Sequence, residues 1–418
     1  MAVNKLDISM MEDVGTSANQ LVQRDGSGNL PAVDGSLVTG LKDYTTSASD
    51  PVITTNPSDG VGTVWYNQTS GEMYICTDAT AGANVWTNVG AGTGDVEPSP
   101  SYQGETYGYM VGGYTNVGSP LFLNNIQKFS FTSGTANASD VANLIAPTST
   151  SAGHSSTTHG YSSGGYITTS GPAGGGGGWA QYNVVEKFQF SNDADSVDSQ
   201  DLYQGRFDLQ STQTETHGYC HGGSYAGSGN DKVDTIDKFP FASSSNGTDV
   251  GNLTLARYQA GGCSSATHGY ALGGHGNIGG TDERNIIDRY SFATDGNATD
   301  VGDLARLNSS AVSTSSSVTH GYLSCGWTFT PSNSYLQEIQ KFAYASSSNA
   351  ANIGTATQAK TKVAGCSSTT YGYSMGGNTG WPTVLNVIER YSFSTDGNAS
   401  DVGDLAVNSN YAAGNVQV

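Results

Sequence analysis

Along most of the chain, short runs of apolar residues alternate with Gly pairs and polar turns, and the same runs recur. Thr267-His268-Gly269-Tyr270-Ala271-Leu272-Gly273-Gly274 has counterparts that begin at Thr106, Thr158, Thr216, Thr319 and Thr370, spaced 51 to 58 residues apart. A second run, Ile236-Asp237-Lys238-Phe239-Pro240-Phe241, recurs from Ile126, Val185, Ile287, Ile339 and Ile388. A polar stretch such as Thr294-Asp295-Gly296-Asn297-Ala298-Thr299-Asp300-Val301-Gly302-Asp303-Leu304 follows it. Runs of this length and composition, bounded by Gly, Asn and Asp, predict strands and tight turns.

A period near 50 residues built from such strands is that of a kelch-type unit. Six copies predict an all-β fold, a six-bladed kelch-like β-propeller over residues 98–418, with four strands in each blade. A blade packs between two neighbours, so both faces of its sheet are covered and the third strand need not alternate cleanly. The first copy has almost no room for a first strand after Ser101-Tyr102-Gln103-Gly104. The tail Leu405 to Val416 resembles, with a one-residue shift, the first-strand segment Leu253 to Ser264. The C-terminus is therefore expected to supply the missing strand and remove an open edge.

Two regions precede the repeats. Residues 1–43 carry short apolar pairs between Asp-Gly and Gly-Asn turns, too little apolar surface to fold alone, and are expected to order against identical chains or a partner. Residues 44–97 form a small β module and linker. Here Gly62 to Thr77 reads as a hairpin turning through Thr69-Ser70-Gly71, Val85 to Val89 as a third strand, and Trp65, Tyr74 and Trp86 as the core.

Charge sharpens the picture by exclusion. Sixteen basic residues stand against 36 acidic ones, a net charge of −20. A field of that sign opposes nucleic acid and anionic membranes, and no segment is apolar enough to insert in a bilayer. The five cysteines, Cys76, Cys220, Cys263, Cys325 and Cys366, lack CxxC spacing, so neither a disulfide framework nor a zinc site is indicated. No cofactor is expected.

The candidate residues divide by whether they repeat. His159, His217, His268 and His320, with Tyr107 and Tyr371 in equivalent places, recur once per unit, whereas a catalytic centre needs distinct residues in distinct roles. They read as scaffold. Lys128, Lys187, Lys238, Arg289, Lys341 and Arg390 recur in the third strand and are expected to pair with Asp140, Asp198, Asp249, Asp300 and Asp401 in the fourth. Lys341, facing Asn352, is assigned Glu338 instead. Asp295 and Asn297, like Asp396 and Asn398, crowd oxygen donors as calcium loops do, but lack the spacing and terminal Glu of an EF-hand; Asx-turn chemistry is the favoured reading.

The loops between second and third strands differ most between units. They carry Tyr114, Phe122, Trp179 and Tyr182 beside the run Gly174 to Gly178, Tyr225, Trp327, Phe329 and Trp381. Varied aromatic loops on a rigid scaffold suit ligand recognition, above all of glycans, whose sugar faces stack on aromatic rings. Packing against other subunits is the competing reading.

The combination Thr-His-Gly-Tyr-x-x-Gly-Gly, Ile-Asp-Lys-Phe-x-Phe and Thr-Asp-Gly-Asn-Ala-Thr-Asp-Val-Gly-Asp-Leu resembles the kelch-like repeats of virion proteins from marine tailed bacteriophages. Leu30-Pro31-Ala32-Val33-Asp34-Gly35-Ser36 and Val64-Trp65-Tyr66-Asn67 resemble the attachment regions of phage fibre proteins. The resemblance implies a non-enzymatic virion structural protein, made in the host cytoplasm and carried on the extracellular particle. Residues 1–43 would dock on other virion proteins, in a homo-oligomer that fibre-like segments suggest is a trimer, and the propeller would face a host-surface glycan. The alternative is a capsid or tail decoration or assembly protein whose propeller contacts other virion subunits. An enzyme would require a non-repeated Tyr/His/Cys or carboxylate cluster, which the sequence does not display.

Overall fold

A computed structural model describes residues 44–89, 102–116, 122–133, 135–168, 179–225, 231–276, 283–308, 313–380 and 382–417. The expectations for residues 1–43, for the glycine run 174–178 and for Trp381 lie outside them. Every regular element among the described residues is a β-strand. The chain divides into two units, Met1–Pro98 and Ser99–Val418.

In the first unit, Tyr44–Ser47, Val64–Asn67, Met73–Asp78 and Val85–Asn88 form a four-stranded sheet in that order. One face is the core: Tyr74, Cys76 and Trp86 are buried, and Trp65 meets Trp86 edge-on at 5.8 Å. The edge strand Tyr44–Ser47, parallel to its neighbour, is an addition to the three strands expected. Its polar sequence Tyr-Thr-Thr-Ser and its distant partner leave no local turn signal.

The second unit holds six four-stranded antiparallel sheets, numbered here by their second strands: Tyr107–Val111, His159–Ser163, His217–His221, His268–Leu272, His320–Thr328 and Tyr371–Met375. The first strands pack side by side around one axis and close into a ring, a β-propeller-like architecture. Sheet 1 takes its innermost strand from the far end of the chain. Ala413–Gln417 pairs with Tyr107–Val111, placing Asn415 opposite Tyr109 as Cys263 is opposite Tyr270 in sheet 4.

The repeated residues meet at the seams between sheets. The Tyr of each Thr-(His/Tyr)-Gly-Tyr run packs on the second aromatic of the next sheet's third strand. Tyr109 meets Phe190, Tyr161 Phe241, Tyr219 Phe292, Tyr270 Tyr344, Tyr322 Phe393 and Tyr373 Phe131, with ring centroids 4.6 to 5.2 Å apart. The preceding Gly leaves room for the first aromatic of its own sheet; a Cβ on Gly160 would overlap the Phe188 ring.

Farther from the axis, each turn between third and fourth strands docks on the fourth strand of the sheet before it. The backbone N–H groups of Asn143, Asp201, Asn252, Asp303, Thr355 and Asp404 donate to the side-chain oxygens of Asp195, Asn246, Asn297, Asn349, Asn398 and Asn137, at 2.8 to 3.1 Å. The same six residues accept N–H bonds back from the turns at 2.7 to 2.8 Å. Gly251, Gly302, Gly354 and Gly403 approach these turns so closely that a Cβ would lie within 2.7 Å of backbone.

Inside each sheet, the residue just before the repeated basic one is buried: Gln127, Glu186, Asp237, Asp288, Gln340 and Glu389. These side chains hold the segment arriving from the preceding sheet. Gln127 accepts from the N–H of Val407, Glu186 from Ile145, Asp288 from Thr254 and Gln340 from Ala305, at 2.7 to 2.9 Å. In sheets 3, 4 and 6 the acid also meets a buried cation: Arg206–Asp237 at 2.9 Å, Arg257–Asp288 at 3.0 Å and Lys360–Glu389 at 3.2 Å.

Lys128, Lys238, Lys341 and Arg390 pair otherwise than expected. Lys128, Lys238 and Lys341 cross the seam to the turn carboxylates Asp193, Asp295 and Asp396 of the following sheet, at 2.9, 3.1 and 2.5 Å. Glu338 does not take Lys341 but holds Arg306 at 2.6 Å. The fourth-strand carboxylates are occupied locally: Asp249, Asp300 and Asp401 each accept the N–H two residues on, at 3.1 Å. Arg390 lies over the Tyr371 ring, 4.5 Å from its centroid.

Arg257→Ala would strand Asp288 in a dry interior and is expected to cost about 3–5 kcal/mol. Arg257→Met with Asp288→Asn should recover most of that loss in urea unfolding, because no unpaired charge remains buried and the amide oxygen can still accept from the N–H of Thr254.

Candidate functional site

Antiparallel order sorts the connections onto two faces of the ring. Turns joining strands 1 and 2, and 3 and 4, lie on one face; loops joining strands 2 and 3, and the connections between sheets, lie on the other.

The first face gathers the repeated polar residues. His159, His217, His268 and His320 are half-buried, each with Nδ1 at 2.8 to 2.9 Å from the hydroxyl of the preceding Thr. Burial lowers their pKa first, and the adjacent Lys187, Lys238, Arg289 or Lys341 adds to the shift. They sit one to a sheet and do not converge. The oxygens of the loops that resemble calcium sites are committed to protein partners: Asp295 to Lys238, Asp396 to Lys341, Asn297 and Asn398 to backbone N–H groups. Among the described residues no group of three His, Cys, Asp or Glu could hold a metal ion.

On the second face, the residue two positions before each innermost strand lies at the mouth of the axis. These are Thr150, Asp208, Gln259, Lys362 and Tyr411, with φ of 58°, 53°, 54°, 59° and 54°. The equivalent of sheet 5, Ala311, lies outside the described residues. The left-handed backbone costs a side-chain-bearing residue roughly 1–2 kcal/mol, and a run of backbone hydrogen bonds holds it. The N–H of Gln259 donates to the carbonyl of Asp208, Asp208 to Thr150, Thr150 to Tyr411 and Tyr411 to Lys362, at 2.7 to 3.1 Å. The backbone repeats; the side chains are all different.

Asp208 dominates the mouth. It is 8% exposed, Oδ2 accepts from Gln259 Nε2 at 3.1 Å, and Oδ1 has no hydrogen-bond partner among the described residues. Burial pushes its pKa up to about 7, against the pull of Gln259, Lys362 and Lys232. Lys362 lies over the Tyr411 ring at 4.5 Å and Lys232 over Tyr258 at 4.6 Å. The cavity that Asp208 lines, about 50 Å³, is edged by Thr150, Gln210, Ser211, Thr314 and Tyr411. Toward the other face the axis is ringed by Ser155, Gln213, Ser264, Ser316 and Ser367, whose side-chain oxygens each accept an N–H from the adjacent sheet. Tyr102 closes over that end, and Gln103 donates to the carbonyl of Ser368.

Most of the described loop aromatics are engaged in packing or pairing within the fold. Phe122 is buried and meets Tyr114 edge-on at 5.9 Å, so it offers no open stacking face. Tyr182 is half-buried with its hydroxyl bonded to Glu186. Tyr225 pairs across a short hairpin with Asp231. Trp327 stacks on Phe329 at 5.5 Å, Phe329 meets His275 at 5.8 Å, and His275 meets Tyr258 at 5.4 Å. This aromatic row runs from the loop of sheet 5 to the mouth. Trp179 lies on a strand opposite Thr168.

No family model matches the sequence, and no curated protein matches it. Many solved structures share the fold. One of them, YjhT, a kelch-type propeller, aligns with a TM-score of 0.57 and 12% identity over 73% of this chain and 98% of its own.

The raised pKa of Asp208 has a stability consequence. Folded chains hold a proton that unfolded chains release above about pH 4, so the favourable contribution is complete below that value and is lost as pH rises through about 7. Asp208→Asn is expected to melt a few degrees above the parent at pH 8, with the difference vanishing near pH 4, in parallel thermal scans.

Proposed function

We propose that this chain is a six-bladed kelch-type propeller on a phage virion, a non-enzymatic fibre-like appendage whose second face binds a host-surface glycan. The observation that carries the binding face is the axial mouth, where one backbone geometry recurs around the ring and the side chains differ in kind. A repeated scaffold makes like residues alike; a set of unlike polar residues converging on one point is what selective recognition requires. The aromatic row from Trp327 to Tyr258 leads into it and adds ring faces of the kind that sugars stack on.

A binding role is favoured over glycoside cleavage because hydrolysis uses two carboxyl groups flanking one bond. Asp208 is the one carboxylate edging the axial cavity among the described residues. The virion assignment rests on the sequence resemblance, with residues 1–43 as the docking segment to other virion proteins and to sister chains, in a trimer. The fold similarity to YjhT supports the propeller alone.

The test is an array of host-cell polysaccharides probed with the full-length chain, alongside imaging of labelled chain on intact particles. Selective capture of one polysaccharide class is expected. Absence of binding to any of them would overturn the recognition reading, and a position buried between virion subunits would favour the decoration role.

A further inference from the structure

We propose that the axial mouth takes the hydroxyl edge of a neutral sugar unit, Asp208 Oδ1 accepting from one ring hydroxyl and Lys362 donating to a neighbouring oxygen. This rests on the glycan-binding reading above and locates it on named atoms. Three observations carry it. Asp208 Oδ1 is a buried acceptor with no hydrogen-bond partner among the described residues, in a residue 8% exposed, and such groups in native folds are almost always satisfied. The cavity beside it, about 50 Å³, has room for roughly three to five waters at ~10–15 Å³ each, which suits a pair of adjacent hydroxyls and not a whole sugar ring. Its edge offers Thr150 and Thr314 hydroxyls, groups that donate or accept as the ligand demands.

Charge selects among sugars. An anionic unit would meet the unpaired oxygen of Asp208 and a molecule of net charge −20; a cationic unit would meet Lys362 and Lys232, which already face the carboxylate. A neutral diol opposes neither. The groups that face Asp208 from the packed segments are Lys362, Lys232, Tyr166, Tyr258 and Tyr411, with Gln259 as its hydrogen-bond donor. Burial raises the pKa of the three tyrosines, which keeps them neutral, and lowers that of Lys362 against the pull of Asp208, whereas Asp208 gains its charge as pH rises through about 7, so binding to the carboxylate strengthens between about pH 5.5 and 8.

The full-length chain is titrated with methyl glycosides of glucose, galactose and mannose, with glucuronic acid and glucosamine as charged counterparts, by calorimetry and ligand-observed NMR. A neutral glycoside is expected to bind, more tightly at pH 8 than at pH 5.5. Asp208→Asn and Lys362→Met should each weaken it about tenfold or more, and Asp208→Asn should abolish the pH dependence. Asp295→Asn, on the opposite face, should leave binding unchanged, and melting curves confirm that each variant is folded. Equal binding of host polysaccharide by parent and both mouth variants would overturn this inference while the glycan-binding reading stands. Preference for glucuronic acid or glucosamine would overturn the ligand class. Failure of the parent to bind any polysaccharide would overturn both.

Discussion

The hydrogen bond from a fourth-strand backbone N–H to the turn side chain of the next sheet recurs at all six seams, from Asn143 with Asp195 round to Asp404 with Asn137. It meets the main hazard of a ring of small sheets, which is that every outer strand is an edge with unpaired backbone groups. Satisfying that edge from the neighbouring turn binds the sheets in a fixed order and spacing. Once the turns are seated, the Tyr of one sheet lies against the aromatic of the next, and the glycines between them must stay bare. The repeated motif is therefore a seam motif, written half in one sheet and half in its neighbour.

Within each sheet, a second repeated contact carries the load inward. A buried Gln, Glu or Asp fixes the segment that enters from the previous sheet, and this segment delivers the innermost strand to the axis. Three of these acids meet buried cations and two positions are neutral glutamines. The shared backbone geometry tolerates both, because the essential bond is from side-chain oxygen to N–H. The same rigidity brings five unlike residues to the mouth with left-handed backbones that an isolated turn would not favour. Recognition at the mouth depends on a scaffold indifferent to which side chains it carries.

The strands, their order and the ring closure were legible because they follow from local composition and period. Ala413–Gln417 could be read as an innermost strand from its likeness to Leu253–Ser264. The ion-pair partners were not legible in the same way. Lys238 has Asp249 near it in sequence and in its own sheet, yet it reaches Asp295, because Asp249 caps its own strand and the seam brings the next turn closer. The loop aromatics stood out in the sequence, but composition does not say that Phe122 turns inward against Tyr114.

Asp208 was missed for a related reason. The signal was present, since Thr150, Asp208, Gln259, Lys362 and Tyr411 occupy one repeat position while sharing no chemistry. They stand about 50 residues apart, none is a glycine to mark the left-handed turn, and variation at one position ordinarily reads as tolerance. Hydrophobic pattern and turn chemistry act over a few residues, so the all-β class, the repeat and the run of strands could be read directly from the chain. Which residues converge on the axis and which charges meet across a seam could not, because those distances are set by how six sheets close on one another.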